Sequence, residues 1–305
     1  MRPKITVVGS SNTDLIVKVE RLPRPGETIL GGEFMTAPGG KGANQAVTAA
    51  RLGGEVTLIA KVGADPFGDQ MMENLKGEGI ITDYVFRELS SPSGVALIFV
   101  GPGGQNMIAA APGANFKLSA QEVRSAASAV VSADVLLTQF EVPMEAVREA
   151  ISIAASNGVP VVLNPAPAAD VGDDLLRMVD FLTPNETEAG AISGVEVMDL
   201  DSAQEAAKAL IRRGAKNVIV TLGEEGALYV SENRSVHLKA PEVQAVDATA
   251  AGDVFNGAFA WAIASGMSPI EAVSLANRAA AISVTRMGAQ PSIPTLDEVW
   301  SGGVG

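Results

Sequence analysis

The sequence predicts an α/β protein built on a doubly wound, mostly parallel sheet, with helices on both faces and a small antiparallel β-sheet lid. Three observations carry this. Short β-branched runs alternate with Ala-rich helical stretches, the order expected of β-α-β units. Hydrophobic residues make up 47% of the 305-residue chain and aromatics only 4%, so Ala, Val, Ile and Leu must fill a core of buried strands and covering helices. Two stretches break the alternation with ribbons that have no crossover helix.

In chain order, residues 5–8 read as the first strand, followed by candidates at 56–61, 135–138, 159–163, 181–183 and 218–221. Ser119-Ala-Gln-Glu122 is a capping box opening a helix through about Val131. Residues 143–156 form a second helix that ends at Asn157-Gly158, and Ser268-Pro-Ile-Glu271 is another capping box with proline at the first helical position. The first excursion, 14–38, holds extended residues 16–20, a Pro-rich turn at 21–26 and a return at 27–30. The second, 94–111, holds strands at 95–100 and 106–110 around the turn 101–104. Neither ribbon buries two faces alone, so together they read as one small sheet lying over the main sheet, either a lid able to exclude water from a site or a decorative edge extension. No repeat or linker divides the chain, which reads as a single domain, 1–305.

The net charge of −13 disfavours nucleic acid and anionic membrane surfaces as partners. The chain has no cysteine and one histidine, which excludes disulfides, thiolate chemistry and any two-histidine metal site. His237 lies in a strand pattern, and with no Gly-x-Ser-x-Gly elbow present it reads as an edge-strand residue rather than a triad member. The N-terminus runs straight into a strand without a signal-peptide pattern, no run of 18 apolar residues exists, and the two Asn-x-Ser/Thr matches at Asn185 and Asn233 read as chance. A cytoplasmic location is expected.

Two segments combine glycines with the start of a helix. In Asp247-Ala-Thr-Ala-Ala-Gly252-Asp253, small residues precede an apolar helical pattern, so Ala250, Ala251, Gly252 and Asp253 sit at a helix N-terminus, where free N–H groups and the helix dipole favour an anion. Asp253 has two readings: a carboxylate stabilising the first turn, or a general base beside an anion hole, the two parts phosphoryl transfer requires. Pro38-Gly-Gly40-Lys41-Gly42-Ala43-Asn44 is not a P-loop, because Gly42 follows the lysine; it is either an ordinary glycine-rich helix start or a backbone grip for sugar hydroxyls. Polar groups also stand at strand ends: Asn12 and Asp14, Glu141, Asn185 with Glu188, and residues 221–226. Taken singly, each also fits a cap or turn.

Together these segments, with Gly9-Ser-Ser-Asn12, Gly94-Val-Ala, Asn164-Pro-Ala-Pro167, Thr183-Pro-Asn and Val284-Thr-Arg-Met-Gly-Ala-Gln-Pro-Ser292, resemble the ribokinase (phosphofructokinase-B) family of carbohydrate kinases along essentially the whole chain. The resemblance implies a Rossmann-like core with a β-sheet lid and phosphorylation of D-ribose at its 5-hydroxyl by ATP. By that resemblance Asp253 is the base and the amides of residues 250–253 form the anion hole. Asn12, Asp14, Gly40, Lys41, Gly42, Ala43, Asn44, Glu141 and Asp253 bind sugar. Asn185, Thr221, Leu222, Gly223, Glu224, Glu225, Gly226, Gly252, Asp253 and Asn277 bind ATP. Asn185 and Glu188 are associated with Mg²⁺, and Asp247, Thr249, Ser283, Arg286, Gly288 and Ser292 with K⁺. Two positions leave the family pattern, Ala248 and Val254, where threonine is usual; the first bears on a hydroxyl contact near the phosphate or the cation loop. The rivals are a kinase of the same family acting on 2-deoxyribose, fructose, a keto-deoxy acid or adenosine, and a non-catalytic sugar or nucleotide sensor. The apolar lid face points to a homodimer.

Overall fold

The computed structural model describes residues 2–30, 32–101 and 105–302. The first half runs β1 Lys4–Val8, β2 Asn12–Lys18, β3 Glu33–Gly39, α1 Lys41–Arg51, β4 Glu55–Gly63, α2 Pro66–Gly77, β5 Val85–Glu88, β6 Gly94–Val100 and β7 Asn106–Ala111. It continues with α3 Ala120–Ser125, α4 Ala127–Val131, β8 Val135–Thr138 and α5 Met144–Ser156. The second half runs β9 Val161–Leu163, α6 Asp173–Leu176, β10 Phe181–Leu182, α7 Glu186–Ser193, α8 Leu200–Arg212, β11 Asn217–Thr221, β12 Ala227–Ser231, β13 Arg234–Leu238, α9 Ala251–Ala264, α10 Pro269–Ser283 and α11 Leu296–Ser301.

Nine strands form the main sheet in the order β13-β12-β11-β10-β9-β8-β1-β4-β5. It is parallel from β5 to β11; β12 alone runs the other way, pairing antiparallel with both β11 and β13. Alternate strand residues feed opposite cores, as strand geometry requires. Val7 and Leu137 face α1, α2, α9, α10 and α11, whereas Val8 and Leu136 face α3 to α8. Both layers are dense in alanine, which lets helices approach the sheet closely.

The lid is a separate four-stranded sheet, β3-β2-β6-β7. Each excursion is an antiparallel ribbon, Asn12 opposite Gly39 in the first and Val95 opposite Ala111 in the second. The ribbons join through β2 and β6, which run parallel with Asn12 opposite Gly94. The return strand of the first ribbon is 33–39, not 27–30. Glu27 folds back onto Arg21 and onto Arg24 N (3.1 Å), so this stretch closes a loop instead of pairing. In the second ribbon Gly101 N donates to Gln105 O (2.7 Å), while residues 102–104 of the expected turn lie outside the described residues.

The capping boxes at Ser119 and Ser268 are both formed. The helix expected through Val131 is instead two, broken at Ala126, where Ser125 Oγ donates back to Glu122 O (2.6 Å) in competition with the helical ladder. The strand at 159–163 begins only at Val161, and that at 181–183 ends at Leu182. Among the described residues no helix is long and apolar enough to cross a membrane.

Candidate active site

The sheet order reverses direction between β1 and β8: from β1 the chain moves outward through β4 and β5, then returns to β8 and moves the other way. Such a switch point opens a crevice beyond the strands' carboxyl ends. Here the first turn of α1 presses against the end of β1. A Cβ on Gly42 would lie 2.6 Å from Gly9 C, so only glycine permits the contact. Ala43 N donates to Ser10 O (2.8 Å). Glu141, just beyond β8, accepts from Lys41 N (3.0 Å) and from Ser10 Oγ, tying both strand ends to the helix start.

The base of the lid meets the same place. Asn12 and Asp14 do not trail β1 as a loop; they begin β2. Gly39, opposite on β3, leaves room for the Asp14 carboxylate, whose oxygens would lie 2.4 Å from a Cβ there. Asn12 Oδ1 accepts from Asn115 Nδ2 (2.7 Å), and Asn115 Oδ1 accepts from Ser11 N (2.9 Å). Burial pushes the Asp14 carboxyl up to about 7, helped by the negative charges of Glu141 and Asp253. These three carboxylates therefore share one electrostatic neighbourhood. Lys41 stands among them, and the charge of Asp253 above all holds its amine in the protonated form.

Asp253 lies in the first turn of α9, buried. The helix is entered through Ala250, whose φ of 62° is the only left-handed value at a non-glycine among the described residues. No side chain caps this N-terminus; Ala251 N donates back to Ala248 O (3.2 Å), the N–H groups of Gly252 and Asp253 lack helical acceptors, and the end carries partial positive charge. Both carboxylate oxygens of Asp253 receive amide donors: Asn44 Nδ2 on Oδ2 (2.9 Å) and Gln45 Nε2 on Oδ1 (3.1 Å). Gln45 Oε1 accepts from Gln139 Nε2, and Gln45 Nε2 also reaches Asn164 Oδ1 (3.1 Å). Burial raises the Asp253 carboxyl above its ordinary range, while the Lys41 charge and the two amides oppose the rise.

The expected nucleotide positions gather along the second half of the sheet. Asn185 and Glu188 form a reciprocal capping box on α7, Glu188 N to Asn185 Oδ1 (2.8 Å) and Asn185 N to Glu188 Oε2 (3.0 Å). Asn185 bridges to Thr221 at the end of β11. Residues 221–226 make the tight β11–β12 turn: Leu222 N donates to Gly226 O (2.8 Å), and Glu224 and Glu225 point to solvent. Gly226 is required, since a Cβ would sit 2.2 Å from Leu238 O. His237, on edge strand β13, places Nε2 2.7 Å from Glu225 O and so props this turn. Asn277 on α10 donates to Leu238 O (2.8 Å).

Two loops meet beside α9. Val246 N donates to Val284 O (2.7 Å), Asp247 Oδ2 accepts from Gly288 N (2.8 Å), and Asp247 Oδ1 accepts from Thr249 N and Oγ1. Although partial burial works the other way, these bonds hold the Asp247 carboxyl below its usual range. Ser283 and Ser292 are buried close by in sequence, each hydroxyl bonded to a backbone carbonyl, and Arg286 pairs with Glu298.

Sequence reasoning left out Ser10, Gln45, Asn115, Gln139, Asn164 and Gln290 as parts of the site. Gln45 follows Asn44 directly and was within reach of its motif. Asn115 lies 103 residues from Asn12, and no local pattern announces it.

Residues 2–296 match the pfkB family of carbohydrate kinases. The chain is 45% identical to a ribokinase of Haemophilus influenzae, covering 98% of this chain and 97% of that protein, and 40% identical to a deoxyribokinase of Salmonella typhi, covering 96% of each. A structure of Arabidopsis thaliana ribokinase complexed with ribose and ATP superposes with a TM-score of 0.92 at 34% identity, over 99% of both chains. The switch-point crevice, the glycine-opened start of α1, the uncapped N-terminus of α9 and these matches agree: the chain belongs to the pfkB family of carbohydrate kinases.

Proposed function

We propose that this protein transfers the γ-phosphoryl group of ATP to the 5-hydroxyl of D-ribose. The observation that carries the reading is Asp253: a buried carboxylate with both oxygens held by amides, in the first turn of an uncapped helix, sharing its surroundings with Asp14, Glu141 and Lys41. Near-full-length similarity to ribokinases supports the substrate. Asn12, Asp14, Asn44 and the start of α1 at residues 40–44 hold the sugar, with Glu141 tying that start to β1. The 5-oxygen forms a bond to the γ-phosphorus, the bond from that phosphorus to the β,γ-bridging oxygen breaks, ADP leaves, and Asp253 takes the hydroxyl proton. The N–H groups of residues 250–253 stabilise charge on the moving phosphoryl. Asn185, residues 221–226 and Asn277 line the ATP site. The one-domain chain closes the crevice with the lid at about 14–38 and 94–111.

Magnesium, when bound, neutralises charge on the β- and γ-phosphates. Asn185 and Glu188, which cap α7 beside the end of β11, would supply the oxygen atoms on the protein side of such an ion's site. Asp247, Thr249, Ser283, Gly288 and Ser292 on the two joined loops offer side-chain or carbonyl oxygens, a set suited to a hard cation such as K⁺. The apolar lid face supports a homodimer, and dependence on ATP supports a cytoplasmic setting.

The similarity to deoxyribokinases favours 2-deoxyribose as the second reading. Coupled ADP release across a panel of pentoses, fructose and nucleosides, with and without K⁺, tests all of this. Ribose is expected to give the highest kcat/KM and K⁺ to raise it. No ribose-dependent ADP release would sink the proposal.

A further inference from the structure

Primary amides are nearly symmetric in shape, so which end faces the Asp253 carboxylate must be set by something else. Asn44 Oδ1 accepts from Gln290 Nε2 (3.2 Å), and Gln290 Oε1 in turn accepts from Asn74 Nδ2 (2.8 Å). The donors therefore run one way, from Asn74 through Gln290 and Asn44 to Asp253 Oδ2. Gln290 is buried, and its backbone is fixed as well: Arg51, at the far end of α1, donates through Nη1 to Gln290 O (2.8 Å) and Ile293 O (3.0 Å) while pairing with Glu78. Asn74, on α2, lines a small cleft under lid residues Thr13, Thr36 and Pro38. None of these contacts is needed to build the sheet, and all converge on one hydrogen bond to one carboxylate oxygen.

We propose that Gln290 is a positioning residue for the reaction: by occupying Asn44 Oδ1 it compels Asn44 to present its N–H to Asp253, which keeps the base ionised and aimed. The inference rests on Asp253 being the base. Without Gln290, Asn44 turns freely, and an amide oxygen facing the carboxylate repels the ionised form. The other charged groups facing Asp253 are Lys41 on α1, Asp14 on β2, Glu141 beyond β8 and Glu188 on α7, and none of them is altered by changing Gln290.

The test is the pH dependence of kcat at saturating sugar and ATP, read on whichever pentose the wild type turns over, alongside thermal melting. Gln290→Leu removes both bonds without adding charge. A donor to an ionised group favours that form, so losing it moves the acid limb of the profile to higher pH, by about one unit, with up to about a tenfold loss of kcat on the acid limb that vanishes at alkaline pH. In an Asn44→Leu background the same change adds no further shift, because its route to Asp253 is already cut. Asn74→Leu, away from the carboxylate, gives a smaller shift in the same direction. If Gln290→Leu does not fold, Asn74→Leu carries the test alone: a shift supports the proposal and an unmoved limb overturns it. A fall in kcat that is equal at every pH, or a full additional effect in the Asn44→Leu background, marks a merely structural role and also overturns it. Failure of the function reading is separate, since it shows as wild-type protein that turns over no sugar.

Discussion

Asp253 and Asp14 carry opposite demands at the residue scale. As the proposed base Asp253 must be ionised to take a proton; burial raises its carboxyl, and the Lys41 charge and two amide donors oppose that rise. Asp253→Asn keeps the shape but leaves only one acceptor oxygen for the two amide donors of Asn44 and Gln45, and it removes the base. Steady-state assays should show kcat falling at least ~10²-fold, with ribose affinity by calorimetry nearly unchanged. Asp14 has fewer compensations: buried beside two other carboxylates, its carboxyl is pushed up to about 7. Below that pH it gains a proton and ceases to be a full acceptor for sugar hydroxyls, so the KM for sugar should climb as pH falls from 8 to 6. The same shift has a cost for stability. A carboxyl raised in the folded state stabilises the fold only at acid pH, and that contribution is lost as pH rises through about 7. Asp14→Asn should therefore raise Tm at pH 8 by a few °C, about what ~1 kcal/mol gives in a chain of this size, while abolishing tight sugar binding. These acids were legible in the sequence because each sits in a short motif at a strand or helix end. Asn44, which orients Asp253, was legible in the same way, but Gln290, which orients Asn44, was not, because it lies 246 residues away and no local pattern links the two.

Individual elements show why some boundaries were readable and others were not. Capping boxes at Ser119 and Ser268 depend on residues three apart, so the sequence displays them directly. The return strand of the first ribbon depends on where Glu27 finds its cation, which hydrophobic patterning does not record. The start of α9 is a third case. Small residues marked it, but only the structure reveals that Ala250 holds φ 62°. A left-handed alanine costs about 1 kcal/mol or more that glycine does not. Ala250→Gly should stabilise the protein by ~0.5–1 kcal/mol in urea denaturation, with α9 unchanged by circular dichroism; a loss of stability would mean the loop depends on the Cβ.

The whole molecule is two sheets meeting at one crevice, and the lid is its least covered part. On the lid face away from Asp14, the strand register places Leu15, Val17, Phe34, Leu97, Phe99 and Met107 together, with Phe34 63% and Met107 49% exposed. Burying such a patch against a copy of itself is favourable. Light scattering at micromolar concentration should give a dimer, and Phe34→Asp with Leu97→Asp should give a monomer; a monomeric wild type defeats the idea. That the two ribbons join by a parallel pair was not readable, because α1, β4, α2 and β5 separate β2 from β6. Such long-range closure also governs how the protein comes into being. Asn44 waits for Asp253, 209 residues later, and α1 packs against α9. During synthesis the sugar-facing half is made first, but its helix α1 has no covering layer until α9 emerges. A nascent chain stalled after β13 would be catalytically silent and would leave bare the face of α1, at Asn44, Gln45 and Thr48, that Asp253 and Gly257 of α9 cover.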